Sequence, residues 1–298
     1  MPSHSVGIIY KYRHKPAHTQ AGKLERWLKE RGLRVFSEEM EIRDSLGWSN
    51  EESSSIPTTV DWVVVLGGDG TLLGAARKVG RFGVPILGVN LGGLGFLTGI
   101  PLNRLYSVVT LLLEGKLQVE NRIMLEARIV RKGEEIHPVQ LLNDMVINKG
   151  TLARIIDLDV SINGEFLTTF RADGLIVSTP TGSTAYNLSA GGPILYPTMQ
   201  SFILTPICPF TLTNRPILLP ETAVIEIRLG KESEEQVVLT FDGQVGIDFR
   251  YGDHVIIHKS SESIRLFKPQ NYSFFNILRT KLMWSGGADE WKPREECS

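Results

Sequence analysis

Cysteine is almost missing from this chain: Cys208 and Cys297 are the only two in 298 residues. They are too few and too far apart for a disulfide framework or a zinc-ligand cluster, and a reducing cytoplasm is the expected compartment. Net charge is missing as well. Lys plus Arg number 32 against 33 Asp plus Glu, so no polycationic field exists to hold a nucleic-acid backbone or an anionic membrane surface. Neither is expected as a partner, and any phosphate must be bound locally. Long apolar runs are also lacking. The stretch from Met1 through Val6 to Tyr10 passes into Lys11, Arg13, His14 and Lys15 without the apolar core of a signal peptide, and no segment has the length to span a bilayer. Several catalytic signatures are absent too. There is no GxxxxGK[ST] phosphate loop, the glycines around Gly88, Gly92, Gly93 and Gly95 do not form GxGxxG, and no GxSxG elbow or Cys/His pairing stands out. His254 and His258 share one face of a strand-like run but would stand about 13 Å apart at the usual rise, too far for one metal.

What is present is an ordinary globular composition, 42% hydrophobic and 22% charged, with chain enough for about two domains. From Val6 to about Gly115 short apolar runs alternate with helical patterns: Val6 to Tyr10 then Ala21 to Arg31, Trp62 to Leu66 then Thr71 to Val79, Val84 to Val89 then Leu102 to Leu113. That alternation predicts βαβ units around a parallel sheet, Rossmann-like in layout. The polar, serine-rich stretch from Ser37 to Thr59 reads as an interrupting loop. From about Lys116 to Lys268 the helical period vanishes, and β-branched runs are separated by turn signals at Lys132-Gly133, Asn163-Gly164 and Asp242-Gly243. Asn163-Gly164 between Val160-Ser161-Ile162 and Glu165-Phe166-Leu167 is a two-residue hairpin signal. The expected division is an α/β domain over residues 1–117, completed by a C-terminal helix within 270–285, a β-rich, sandwich-like domain over 118–269, and a polar tail over 286–298.

Gly67-Gly68-Asp69-Gly70-Thr71 directly follows the buried-strand run Trp62 to Leu66 and opens a helix running from Leu72 to Val79. Glycines at such a turn let the backbone approach a phosphate, and the helix N-terminus offers unpaired N–H groups and partial positive charge. Asp69 is out of place among phosphate-binding amides unless it accepts a proton from an attacking hydroxyl or holds a magnesium ion. The plain alternative is a helix-capping aspartate. Asn143-Asp144 before the apolar run Met145-Val146-Ile147 offers oxygens to vicinal ribose hydroxyls, or is simply a turn. The segment from Thr179 to Pro193, TPTGSTAYNLSAGGP, packs hydroxyls and glycines behind Pro180, which argues for a loop entering a short helix. Its backbone amides and Thr184 suit an adenine edge or a phosphate, and Tyr186 offers a stacking face. A serine/threonine-rich capping turn is the alternative. Arg171 and Asp173 alternate on a strand-like run and would share one face, where a surface ion pair explains them equally well.

GGDGT narrows the field to a superfamily that resembles NAD kinases, diacylglycerol and sphingosine-type lipid kinases and, more distantly, phosphofructokinases. Asn143-Asp144, Arg171-Ala172-Asp173-Gly174, the TPTGSTAY segment and Phe241-Asp242-Gly243-Gln244, in this order, resemble the bacterial-type NAD kinases from the first strand to about Lys268. The resemblance implies transfer of the ATP γ-phosphoryl group to the 2′-hydroxyl of NAD's adenosine ribose, with Asp69 as the catalytic base and Mg2+ carried by ATP rather than by a protein cage. It implies nucleotide contacts from Gly67, Gly68, Gly70, Thr71, Asn143, Asp144, Arg154, Arg171, Asp173, Thr181, Thr184, Ala185, Tyr186, Asn187, Leu188, Ser189, Cys208 and Gln244. A homodimer or homotetramer is implied as well, with the loop around Cys208 near a shared pocket. Two departures stand out: Asp144 where the family often has glutamate, and Phe210 where it commonly shows histidine. The rivals are a lipid kinase, which should expose a membrane-docking feature, and a non-catalytic NAD-binding regulator, which would have no use for Asp69. Because asparagine can still cap a helix, Asp69→Asn is expected to fold and keep its thermal stability.

Overall fold

The computed structural model describes residues 5–41, 45–46, 54–150, 154–230, 236–268 and 273–284. The expected tail from Gly286 to Ser298, Cys297, and parts of the polar stretch (42–44 and 47–53) lie outside the described residues. The first half runs β1 (Ser5–Lys11), α1 (Lys15–Lys29), β2 (Arg34–Met40), β3 (Ser45–Leu46), β4 (Trp62–Gly67), α2 (Asp69–Lys78), β5 (Ile86–Asn90), β6 (Ile100–Pro101) and α3 (Leu105–Leu113). Strands β2, β1, β4 and β5 pair in parallel in that order. β4 is buried at every position, as a strand covered on both faces must be. One face packs α2 through Leu72, Leu73, Ala75 and Ala76, and the other packs α1 and α3 through Leu24, Leu28, Leu105 and Val109. Each of these leucines and Val109 contributes about 1.5–3 kcal/mol relative to exposure.

Two expectations about this half need adjusting. Helix α1 starts six residues before Ala21, capped by His14 with Pro16 in its first turn, and its buried Ala17, Ala21, Leu24 and Leu28 hold a helical period through the polar first turn. Residues Ser37 to Met40, read as loop, belong to β2. As the outer strand of the sheet, β2 keeps Glu39 exposed and ties Glu38 to Lys78 at 2.8 Å, while its backbone pairs with β1 along the full length, and that pairing overrides local composition.

The second half runs β7 (Gln118–Arg131), β8 (Glu134–Leu141), β9 (Asp144–Lys149), β10 (Ile156–Ile162), β11 (Glu165–Ala172), β12 (Gly174–Ser178), α4 (Tyr186–Ser189), β13 (Ser201–Ile207), β14 (Ile217–Pro220), β15 (Ile225–Leu229), β16 (Val237–Phe241), β17 (Val245–Phe249), β18 (His254–Lys268) and α5 (Phe274–Leu282). Two sheets face each other. β14-β13-β12-β9-β16-β17-β3 form one, and β7, β8, β10, β11, β15 and β18 lie in the other. Their inner faces meet in one core where alternate residues point inward, among them Leu125, Ile129, Met145, Leu158, Val177, Phe202, Leu239 and Ile257. The β10–β11 hairpin turns at Asn163 and Gly164 with φ of 53° and 82°, both positive as a type I′ turn requires.

The two halves are not separate sheets. β18 pairs with β15 and β7 in the sandwich and then meets β5 in parallel at Leu266–Ile86, which makes one 11-stranded mixed sheet through both. A sheet read strand by strand from sequence gives no sign of this, because the junction joins residues 180 positions apart. Among the described residues no helix is long and apolar enough to cross a membrane.

Candidate functional site

GGDGT sits where β4 ends and α2 begins, at the C-terminal edge of the parallel strands, where open α/β sheets place their ligands. Gly67 is required by packing: a Cβ there would lie 2.4 Å from Thr71 Oγ1. The helix cap is Gly68, whose carbonyl accepts from Thr71 N at 3.0 Å and Leu72 N at 3.2 Å. Asp69 is therefore the first helical residue and not the cap. Its carboxylate turns instead to a distant loop. Oδ2 accepts from Phe96 N at 2.9 Å, and Oδ1 accepts from Leu97 N at 3.1 Å, Thr98 N at 3.0 Å and Thr98 Oγ1 at 2.8 Å. Thr98 Oγ1 is held in turn by Asn90 Nδ2 at 2.8 Å. Gly95 makes this possible, since a Cβ there would stand 2.1 Å from Asp69 Oδ1. Three donors saturate Oδ1, and Oδ2 keeps capacity for one more proton. The sequence reading missed this loop, whose only signal was a run of glycines without a known motif.

A chain of contacts leads from α2 into the sandwich. Gln244, buried in the β16–β17 turn, donates Nε2 to the Gly70 carbonyl at 2.9 Å and accepts from Arg77 Nη2. Its side chain ties the two halves together. Asp242, in the same turn with φ 50°, is fully buried and accepts from the backbone N–H of Leu142 (3.2 Å), Asn143 (2.7 Å) and Asp144 (3.3 Å), with Arg77 Nη1 3.9 Å away. Asn143-Asp144 thus begins β9 on a carboxylate that neither residue supplies. The TPTGS segment packs on the same backbone. Thr179 N donates to Asn143 O at 2.8 Å, Thr179 Oγ1 to Leu142 O at 2.6 Å, and a Cβ on Gly182 would lie 2.2 Å from Asn143 O. The expected loop and short helix appear as a 3-10 turn, Gly182–Thr184, and α4.

The remaining side chains sort by what they touch. Thr184, Ala185 and Leu188 are half-buried, and Tyr186 and Ser189 are exposed along one wall. Thr181 is buried, 3.4 Å from Arg122 Nη1. Asn187 is fully buried: it donates to Ser183 O and Pro193 O and accepts from Thr205 Oγ1 at 2.7 Å, so its side chain braces the loop. Arg171 and Asp173 do not pair. β11 ends before Asp173; Arg171 reaches Asp157 at 3.2 Å and Asp173 reaches Lys149 at 2.7 Å. Arg154 is exposed beside residues 151–153, which are outside the described set. Cys208 is exposed with φ 44°, and Phe210 lies under Arg171, whose Cζ is 5.2 Å from the ring centroid. The ring that replaces the usual histidine thus has a cation to stack on.

Burial makes Asp144 unusual. Desolvation first, and the neighbouring Asp242 second, push its carboxyl from 3.8 up to about 7. Burial also pushes Asp242 upward, against Arg77 and the three amides. Three N–H groups converge on Asp242, so the proton of this pair belongs on Asp144. Folding therefore binds a proton that the unfolded chain releases between about pH 4 and 7; the stabilisation is complete below the ordinary carboxylate range and is lost as pH rises through about 7. Asp144→Asn should flatten this dependence and, in the absence of ligand, raise stability by about 1–3 kcal/mol at pH 8. Denaturant melts at pH 5 and pH 8 check it: an equal effect at both pH values would show that Asp144 carries no such proton.

The chain matches the model of the ATP-NAD kinase N-terminal domain over residues 6–117 and that of the C-terminal domain over residues 142–268. It is 50% identical over 282 residues to the NAD kinase of Citrifermentans bemidjiense, spanning 94% of this chain and 98% of that one. It is 49% identical over 280 residues to the NAD kinase of Syntrophotalea carbinolica, with the same coverage. Among solved structures it superposes on the yeast NADH kinase complexed with NADH at TM-score 0.81, with 27% identity and coverage of 98% of this chain and 91% of that one. It also superposes on an NAD kinase from Archaeoglobus fulgidus in complex with ATP at TM-score 0.74, with 26% identity and coverage of 95% and 100%. With both halves matched in order and the GGDGT, Asn143-Asp144 and TPTGSTAY elements joined through one set of contacts, this chain belongs to the NAD kinase family.

Proposed function

We infer that this protein is an NAD kinase in which Asp69 is the catalytic base. The observation that carries the reading is the Asp69 carboxylate, fixed by four donors at the phosphate-binding turn yet keeping capacity on Oδ2. The 2′-oxygen of NAD's adenosine ribose attacks the γ-phosphorus of ATP, the β–γ bridging oxygen leaves with ADP, and the 2′-hydroxyl proton passes to Asp69. The N–H groups at the start of α2 face the phosphates. Asn143 Oδ1, buried without a hydrogen-bond partner, and Asp144 take ribose hydroxyls, and the wall formed by Thr184, Ala185 and Tyr186 takes the adenine. Asn187 and Gln244 act by holding loops in place. Catalysis is then positioning plus electrostatic stabilisation, without a covalent intermediate.

Magnesium belongs to this reading as a passenger of ATP. An ion carried by the ATP phosphates and water needs no protein cage, and the one free place on Asp69 Oδ2 is kept for the 2′-hydroxyl proton. Bound there, the ion would neutralise charge developing on the phosphoryl group. The working division of the chain is residues 1–117 with the C-terminal helix, and 118–269. Phe210 and Leu212, 64% and 90% exposed in the loop after β13, support a homodimer or homotetramer, and a cytoplasmic setting suits the exposed free thiol of Cys208.

Purified protein with NAD, ATP and magnesium, coupled to an NADP-specific dehydrogenase, should form NADP, and chelation of the metal should stop it. Diacylglycerol and sphingosine should remain unphosphorylated. Lipid turnover at a rate comparable with that of NAD would overturn the reading.

A further inference from the structure

The C-terminal helix α5 reaches two loops that are 100 residues apart in sequence. Phe274, its first residue and 7% exposed, packs its ring 6.5 Å from the Phe96 ring and 5.5 Å from the Tyr196 ring, the second contact edge-on at 81°. Phe275 adds a contact to Tyr196 at 5.8 Å. Lys281, two turns along the same face, places Nζ 6.0 Å from the Phe96 ring centroid. Neither partner is an arbitrary core residue. Phe96 is itself one of the amides on Asp69, through N–H to Oδ2 at 2.9 Å. Tyr196 follows Leu195, whose N–H donates to Ser183 Oγ at 3.0 Å inside the TPTGSTAY segment. Apolar rings in such pairs prefer tilted and edge-to-face geometry, so their contacts fix direction as well as distance.

We propose that Phe274 is a positioning residue for phosphoryl transfer: its ring, seated between Phe96 and Tyr196, holds the loop that aims Asp69 in register with the loop that follows the acceptor-binding segment. The C-terminal helix thus sets the alignment of base and acceptor without touching either. A near-attack arrangement is sensitive to displacements of about 1 Å, and a slack Phe96 loop moves all four donors on Asp69 at once. The proposal rests on Asp69 as the base, so its test carries a readout that does not depend on turnover.

Phe274→Leu keeps the burial and removes the ring; Phe274→Tyr keeps the ring; Tyr196→Leu removes the partner ring from a position that is 38% exposed. Phe274→Leu should lower kcat about tenfold with the KM for NAD changed by less than about threefold, Phe274→Tyr should restore kcat, and Tyr196→Leu should reproduce part of the loss. Amide exchange at Phe96, Leu97 and Thr98 should accelerate at least about tenfold in Phe274→Leu while the amides of α1 stay unchanged. Combining Phe274→Leu with Phe96→Leu should cost little more than the worse single change, because both act through one contact. A lower melting temperature with wild-type kcat and unchanged exchange at residues 96–98 would overturn the proposal, as would losses that simply multiply. If Phe274→Leu does not fold, full activity in Tyr196→Leu overturns it as well. Normal turnover in Asp69→Asn would sink the base assignment alone, and the exchange result would still report whether Phe274 holds the loop.

Discussion

Asp69→Asn is expected to lower turnover by about two to four powers of ten while NAD still binds. Asparagine has nearly the shape of aspartate but cannot take the 2′-hydroxyl proton or face a metal-bound phosphate as an anion. The structure changes what else should happen. On the capping view the substitution would leave stability untouched, but Asp69 is not the cap. Its oxygens accept four hydrogen bonds from residues 96–98, and an asparagine that keeps its oxygen toward the three donors on Oδ1 must turn its NH2 against the Phe96 N–H. One donor facing another in a half-buried site costs about 1–3 kcal/mol, so the variant should fold but melt earlier. Steady-state kinetics, equilibrium NAD binding and a melting curve separate the effects. Turnover within about threefold of wild type would remove Asp69 from the chemistry, whereas loss of NAD binding at temperatures where the variant is folded would make it a structural residue only.

Replacing Asn143 and Asp144 together with alanine should reduce kcat/KM for NAD by about a hundredfold, roughly 3 kcal/mol, with the apparent affinity for ATP nearly unchanged. Two features single out this pair. Asn143 Oδ1 is a buried acceptor without a partner, which is costly unless a ligand completes it. Asp144 is a carboxyl raised to about 7 by burial, and a ribose hydroxyl beside it would receive the same completion. The backbone of these residues is held by Asp242 and Thr179 rather than by their own side chains, so the double variant should keep its local structure. Varied-substrate kinetics on a variant shown to be folded are the check. Normal NAD kinetics there would mean that Asn143-Asp144 is a turn and nothing more.

The parts of this site that were legible in the sequence are those whose reasons are local. GGDGT follows a run of five apolar residues and opens a helix, so the strand, the turn and the anion-binding end of α2 all follow from neighbouring residues. Pro180 and the hydroxyl cluster behind it required a loop, and Asn163-Gly164 required a tight hairpin. The parts that were not legible depend on residues brought together by the fold. Asp69 finds its donors 27 to 29 positions later, in a segment with no motif of its own. Gln244 drew notice for its place in a motif, but nothing local announced that its side chain would bridge Gly70 and Arg77. Arg171 and Asp173 looked like partners because they alternate, but alternation sets a face only while the strand continues, and β11 stops at Ala172. Arg77 and Phe274 had no local signal that tied them to the site, and Asp242, legible as part of a turn, gave no sign that its carboxylate would hold the start of β9.

The joint between β18 and β5 bears on how the protein is made. The inner neighbour of β5 on the sandwich side is a strand that includes Leu266, and a ribosome delivers that residue 180 positions after its partner Ile86. Until then the first half of the nascent chain carries a parallel edge that β6 covers only at Val89 and Asn90, beside a strongly apolar core, the kind of surface that invites wrong pairing. The first 117 residues therefore cannot complete their sheet as they emerge, and a chain cut short anywhere between β5 and Leu266 keeps an open edge instead of becoming a smaller working protein.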